Sequence, residues 1–468
     1  MSRIQYCTAK SKSEIDLCRA PYHSILAMND YEEARYEPNT DGENLDFHAL
    51  YPGIDFQATV LNRWDVGILQ DPRRKVTTLK IDSHTGDDID CSKIPPTVRR
   101  LFIQKSPALT SLRGLQVGPS LVTLIGLEGL TSLEGLPLGM SNLVIKDCPD
   151  LTSLEGIPKN LRLQKLILTN LPGVTTLAGL PESLHNGLLD LNDLPHLTSL
   201  VGIPSGCMDT CLSNLPAVTS LTGLPSDSDF TNLTIDDLPG VTTLVGLASV
   251  SHLDMRNMPG LTSLEGLRSD LGTCTLKLTG IPGLTSLSGL PQDLKTGTLH
   301  LTDLPSLTSL AGIPDSLRAC PIELTDLPRL SSLAEIPAHL RVKDLKLTNL
   351  PGLTSMDAEC NAARITMNQC PAISIFASAS PSVRNLVVRD CPGIKALPFG
   401  LTLKELAMDF PRRVHWPHSL EVIPANTEYL DDGTEVTRSG RVQTAKEYNS
   451  LVERASDHVY SRKKGVRR

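Results

Sequence analysis

Apolar and polar residues alternate over short stretches that recur through the middle of the chain. The apolar members come in pairs: Leu166 and Leu168, Leu189 and Leu191, Leu233 and Ile235, Leu276 and Leu278, Leu299 and Leu301, Leu345 and Leu347. A two-residue period buries one face of an extended strand, so each pair predicts a short strand with one inward side. Shortly after each pair stands an apolar or small residue, usually followed by proline, as in Cys148-Pro149, Leu194-Pro195, Leu304-Pro305 and Cys391-Pro392. Proline has no N–H to give a ladder, so the strand must stop there. Leu-Thr-Ser-Leu or a close variant follows, beginning at Leu109, Leu130, Leu151, Val174, Leu197, Val218, Val241, Leu261, Leu284, Leu307, Leu330, Leu353, Ile373 and Ile394. Its leucines point back to the core, and the Gly-Leu-Pro that often comes next breaks any helix. The return path should therefore be extended chain and short 3₁₀ turns.

The intervals between these copies run from 20 to 23 residues. A repeat of this period and leucine pattern is identified as a member of the leucine-rich-repeat class. The expected fold is an α/β-type solenoid, mostly β, of about 14 coils. Short parallel strands line its concave face, and stacked coils share one apolar core. The leucines, prolines and glycines belong to that scaffold. The Thr-Ser pair belongs to it too, with stacked hydroxyls expected to satisfy backbone groups of the neighbouring coil. Ile145-Lys146-Asp147-Cys148-Pro149-Asp150-Leu151 and Val388-Arg389-Asp390-Cys391-Pro392-Gly393-Ile394 resemble repeats of plant intracellular immune receptors. Leu180-Pro181-Glu182-Ser183-Leu184 resembles repeats of bacterial effectors delivered into host cells.

Composition divides the chain in three. No tyrosine lies between Tyr51 and Tyr429, so the repeat region differs from both ends. Residues 1–75 are read as an N-terminal cap or small domain, with a capping box at Ser11–Glu14. The solenoid is assigned to 76–420, with Val76–Leu79 as a degenerate first coil. Residues 421–468 are read as a hairpin around Asp432-Gly433, a helix after Thr444 and a basic tail. Such ends would cover the exposed core of the terminal coils.

Charge narrows the partner. The net charge is −8, yet the last 31 residues hold nine basic and three acidic groups, so the rest carries −14. An acidic body repels phosphates and argues against nucleic acid, except through the tail. Eleven cysteines with no CxxC fit neither a zinc ribbon nor a disulfide framework. The first twenty residues lack the apolar run of a signal peptide, and no stretch is long and apolar enough to span a membrane. The expected location is intracellular, or a host cell reached without a standard signal.

No phosphate loop, nucleophile elbow, zinc-protease or dinucleotide motif is present, so no enzyme, cofactor, metal or small-molecule substrate is expected. The outward strand positions carry the functional expectation. Asp190, Asp193, Asp236, Asp237, Asp254, His300, Asp303, Glu323 and Asp326 are assigned to an acidic partner-binding face. The expected function is a protein-interaction scaffold holding a basic segment of a partner. The alternative is a substrate-recognition module of a ubiquitin-ligase or host-targeted effector system. For Asp193, Asp237, Asp303 and Asp326 a second reading stays open, since Asp just before Leu-Pro also caps turns.

Overall fold

The computed structural model describes residues 76–394, less 85–88, 116–117, 227–229, 269–274, 293–296, 318–319, 338–339, 357–360 and 375–382, together with short strands outside that span. The chain forms two compact units, Met1–Val218 with Thr222–Asp229 and Thr219–Leu221 with Phe230–Arg468. Both are parallel-strand solenoids with almost no helix among the described residues, as the repeat predicts; the one short 3₁₀ turn is Cys91–Lys93.

The strands of unit 1 are β1 (Ile4–Tyr6), β2 (Phe56–Leu61), β3 (Val76–Asp82), β4 (Arg100–Gln104), β5 (Leu121–Ile125), β6 (Asn142–Lys146), β7 (Lys165–Thr169), β8 (Ser183–Asn192) and β9 (Ser205–Ser213). From β2 to β9 each pairs in parallel with the next, while β1 lies antiparallel to β2. Thus a parallel strand precedes the one expected to open the array.

Unit 2 holds β10 (Phe230–Asp236), β11 (Val250–Arg256), β12 (Thr275–Thr279), β13 (Leu299–Thr302), β14 (Ile322–Thr325), β15 (Arg341–Thr348), β16 (Asn361–Asn368) and β17 (Asn385–Arg389). The remaining strands are β18 (Thr402–Leu403), β19 (Glu405–Met408), β20 (Glu421–Val422), β21 (Thr427–Tyr429) and β22 (Glu435–Thr437). The parallel series β10–β17 continues into β19. The pair β21–β22 is antiparallel, with Tyr429 opposite Glu435. The helix expected after Thr444, the basic tail and the Ser11–Glu14 capping box lie outside the described residues.

One coil shows how the sequence makes the fold. Leu299 and Leu301 of β13 point inward and are buried, and His300 and Thr302 point outward. Asp303 then adopts a left-handed backbone, φ 50°, which turns the chain out of the strand. Aspartate and asparagine tolerate that region better than other side-chain-bearing residues. A β-turn follows, Leu304-Pro305-Ser306-Leu307, closed by the Leu307 N–H to the Leu304 carbonyl at 3.1 Å. Proline sits second in that turn, where its fixed φ is preset. A second turn, Leu310–Ile313, places Gly312 third with φ +106°. That φ calls for glycine, and a Cβ there would lie 2.3 Å from the Leu287 carbonyl oxygen of the previous coil.

The Thr-Ser pair is scaffold, and threonine hydroxyls reach the backbone of the neighbouring coil as expected, Thr131 donating to the Thr110 carbonyl at 3.5 Å. The serine hydroxyls accept from an N–H of their own coil. Ser309 Oγ accepts the Ala311 N–H at 3.0 Å, and Ser132, Ser153, Ser199 and Ser263 do the same two residues ahead. The threonines stack through their backbones, Thr308 N–H to Thr285 carbonyl at 3.1 Å, with the Thr308 hydroxyl adding a longer bond to the same oxygen.

Glu335 occupies the glycine position of a later coil. Its carboxylate accepts from the Ser309 hydroxyl and from the Leu310 N–H. In the coil before, the corresponding N–H of Leu287 donates to the Ala311 carbonyl at 3.0 Å. A side chain has taken over a bond that the backbone makes elsewhere in the stack.

Candidate functional site

Parallel pairing without a register shift sorts the outward residues of β10–β15 into rows. One row runs Thr234, Asp254, Lys277, His300, Glu323, Lys346. The next runs Asp236, Arg256, Thr279, Thr302, Thr325, Thr348. No acid in either row stands directly opposite another acid. Asp254 faces Thr234 and Lys277, and Glu323 faces His300 and Lys346. In unit 2 the acids assigned to the partner-binding face thus alternate with the cations Arg256, Lys277 and Lys346 and with His300.

Each of these three acids is also engaged by a neighbour. Arg256 grips Asp254 with both ends of its fork, Nε to Oδ1 at 3.0 Å and Nη2 to Oδ2 at 2.7 Å. His300 Nδ1 lies 3.0 Å from Glu323 Oε2, and Lys346 Nζ lies 3.9 Å from the same oxygen. Asn257 donates to Asp236 at 2.8 Å.

Asp193, Asp237, Asp303 and Asp326 sit at the left-handed corner that ends a strand, with φ between 50° and 55°. Each corner N–H extends the ladder by one bond, as from Asp193 to the Ser213 carbonyl and from Asp326 to the Thr348 carbonyl. Two of the side chains link successive corners. Asn214 donates to Asp193 at 3.0 Å, and Asn349 donates to Asp326 at 2.6 Å. The same bond joins Asn170 to Asp147. Turn geometry thus accounts for all four positions, the reading the sequence left open.

Asp190 belongs to unit 1, in the row Val144, Ile167, Asp190, Cys211. Burial pushes its carboxyl above the usual range, against the pull of Lys146 and Lys165. At the far end of the same sheet burial also raises Asp82. Hydrogen bonds from Gln104, Ser83 and Lys80 outweigh it and leave that carboxyl below its ordinary value.

The outward side of β4–β7 was missed by sequence reasoning. Phe102, Leu121, Ile125, Val144 and Ile167 all occupy outward positions there. Ile167 is 9% exposed and the others are partly exposed. Arg100, Lys146 and Lys165 lie on the same side, and no acid occurs in these four strands. The signal was available. In Leu101-Phe102-Ile103, Leu143-Val144-Ile145 and Leu166-Ile167-Leu168 the flanking residues point inward, so the middle one must point out.

Three of the described thiols are held in their protonated form. Burial pushes Cys148 and Cys320 up to about 11 and Cys207 to about 12, so all three stay protonated at neutral pH. Cys370 and Cys391 fill the same place in successive coils and share a hydrogen bond, which together with burial pushes Cys391 up. Cys211 is partly exposed on the outward side of β9. Among the described residues no group of three or more His, Cys, Asp or Glu is arranged to hold a metal ion. No helix among them is long and apolar enough to cross a membrane.

No family model matches the sequence. No curated protein matches it either. Among solved structures, YopM from Yersinia enterocolitica WA-314 aligns at 16% identity over 75% of this chain and 84% of that one, with a TM-score of 0.20. What fixes the fold is the chain's own repeat and coil geometry: a parallel-strand solenoid with leucine-lined coils.

Proposed function

We propose that this protein is an interaction scaffold that holds a protein partner on the outward side of its parallel strands. One observation carries the reading. From coil to coil the inward positions stay leucine or its near equivalents, while the outward ones change in type and charge. An inward side chain is constrained by packing, whereas an outward one on a solenoid is free to serve recognition. In unit 2 the outward side holds Asp236, Asp254 and Glu323 beside Arg256, Lys277, His300 and Lys346. A basic segment would bind these acids by exchanging with the groups that engage them now, cations at Asp254 and Glu323 and the Asn257 amide at Asp236, so its contact would weaken as salt rises.

The experiment is photo-crosslinking from single positions in the full chain. A crosslinker at Val144 or at Thr302 should trap partner protein. One at the back turns, at Thr131 or Ala311, should not. Adducts formed only from the back turns would remove the reading.

A further inference from the structure

The outward side of β4–β7 combines two properties rarely left together on an unoccupied surface. It carries five apolar side chains on four neighbouring strands, and its only charges within those strands are positive. Runs such as Leu-Val-Ile and Leu-Ile-Leu are the sequence pattern of parallel strands covered on both faces. Here the inner side is sealed, with Leu101, Leu124, Ile145 and Leu168 fully buried, while Phe102, Leu121, Ile125 and Val144 keep part of their surface in water. Val144 and Ile167 stand side by side, while Thr123 lies between Phe102 and Val144 and Asn142 lies beside Leu121. Apolar side chains gathered in this way on one outer side mark a place where another surface docks.

The patch has a definite size. Four strands about 4.8 Å apart, with like-facing residues about 6.8 Å apart along each strand, give a field roughly 15 Å on a side. That suits a short segment of chain. Its charge is also definite. Lys146 and Lys165 flank Val144 and Ile167, and Arg100 stands one strand over from Leu121. At the edges, Lys80 and Asp82 pair with one another at 3.2 Å, and Asp190 lies next to Ile167. The corner Asp147 accepts from Asn170. Lys146 and Lys165 both pull on Asp190 of the adjacent strand, and Arg100 Nε donates to the Thr78 hydroxyl at 3.0 Å, so the two lysines share one neighbouring acid and the four strands themselves supply none.

We infer that this surface binds a segment of another protein in which apolar side chains are set among acidic ones. The apolar groups cover Phe102, Leu121, Val144 and Ile167, and the carboxylates meet Lys146, Lys165 and Arg100. The inference rests on the scaffold reading and names the partner chemistry for unit 1. It is opposite in charge to the one expected from the net charge of the chain.

Fluorescence anisotropy with the full chain tests it. Two labelled synthetic peptides share the same leucine, isoleucine and phenylalanine positions, one with glutamate and the other with lysine between them. The glutamate peptide should bind about ten-fold tighter, a difference of about 1.4 kcal/mol. Lys146→Gln with Lys165→Gln should shrink that preference to less than about two-fold with unchanged melting. Leu121→Ser with Val144→Ser should weaken the glutamate peptide while the preference for acid persists. Equal binding of both peptides, or of neither, overturns the inference. So does self-association of the chain that the Leu121/Val144 variant abolishes, because the occupant is then a second copy. Partner crosslinks confined to unit 2 would overturn it and leave the scaffold reading standing.

Discussion

On β4–β7 the outward positions carry Phe102, Leu121, Ile125, Val144 and Ile167; on β10–β15 every apolar side chain is buried and the outward positions are polar. The inner sides of the two regions are built alike. Pairs of buried aliphatic side chains in the strand and a left-handed glycine at the second turn recur in both, as does a proline in most first turns. A solenoid of this design therefore leaves its outer side unconstrained by folding. Differences there need another explanation, and recognition of different partner chemistry supplies one.

If the inner sides are equivalent, truncating an inward leucine should cost the same in either unit. Leu166→Ala and Leu301→Ala should each lose about 2–5 kcal/mol in urea unfolding. A loss under about 0.5 kcal/mol at one site would show that its strand is packed differently. The second turn gives a smaller effect. Gly289 has φ +97°, and a Cβ on it would meet the Glu265 nitrogen at 2.5 Å. Gly289→Ala should cost about 1–3 kcal/mol. Gly139→Ala, where a Cβ meets nothing within 4 Å, should be close to neutral.

Asp190 sharpens the comparison on the outer side. Its raised carboxyl means the folded chain holds the proton more tightly than the unfolded one. Wild-type stability must then fall as pH rises through the carboxylate range. Asp190→Asn should be the more stable protein above that range, and the two should converge in acid. A gap that widens on acidification would contradict the assignment. Smallest of all should be the Arg256–Asp254 pair, whose guanidinium is half exposed. Arg256→Ala should change stability by less than about 1 kcal/mol, and less again in high salt.

The repeat made the fold readable because one coil restates the same physical demands many times. Period-two leucines, a proline that ends the strand and a helix-breaking glycine leave few alternatives. Glu335, standing where glycine belongs, was not readable, since its role depends on Ser309 and Leu310 of the adjacent coil. The site was read less well for the same reason. Strand phasing puts Lys277 and His300 at the outward positions between Asp254 and Glu323, but it cannot reveal that Arg256 folds back on Asp254. For Asp193 and Asp326 the sequence left turn capping open beside binding, and the left-handed corner shows the turn role. The apolar face of β4–β7 was legible in the apolar triplets, whose middle residue must point out once its neighbours point in.

If the protein is the proposed scaffold, the outer sides of its strands, and not the core or the back turns, carry the function. Partner affinity measured together with melting temperature tests it most directly, for Leu121→Ser/Val144→Ser in unit 1 and Asp236→Lys/Asp254→Lys in unit 2. At least one of these variants should bind about ten-fold more weakly while melting within about 2 °C of the parent. Unchanged affinity in both, with the fold intact, would contradict it.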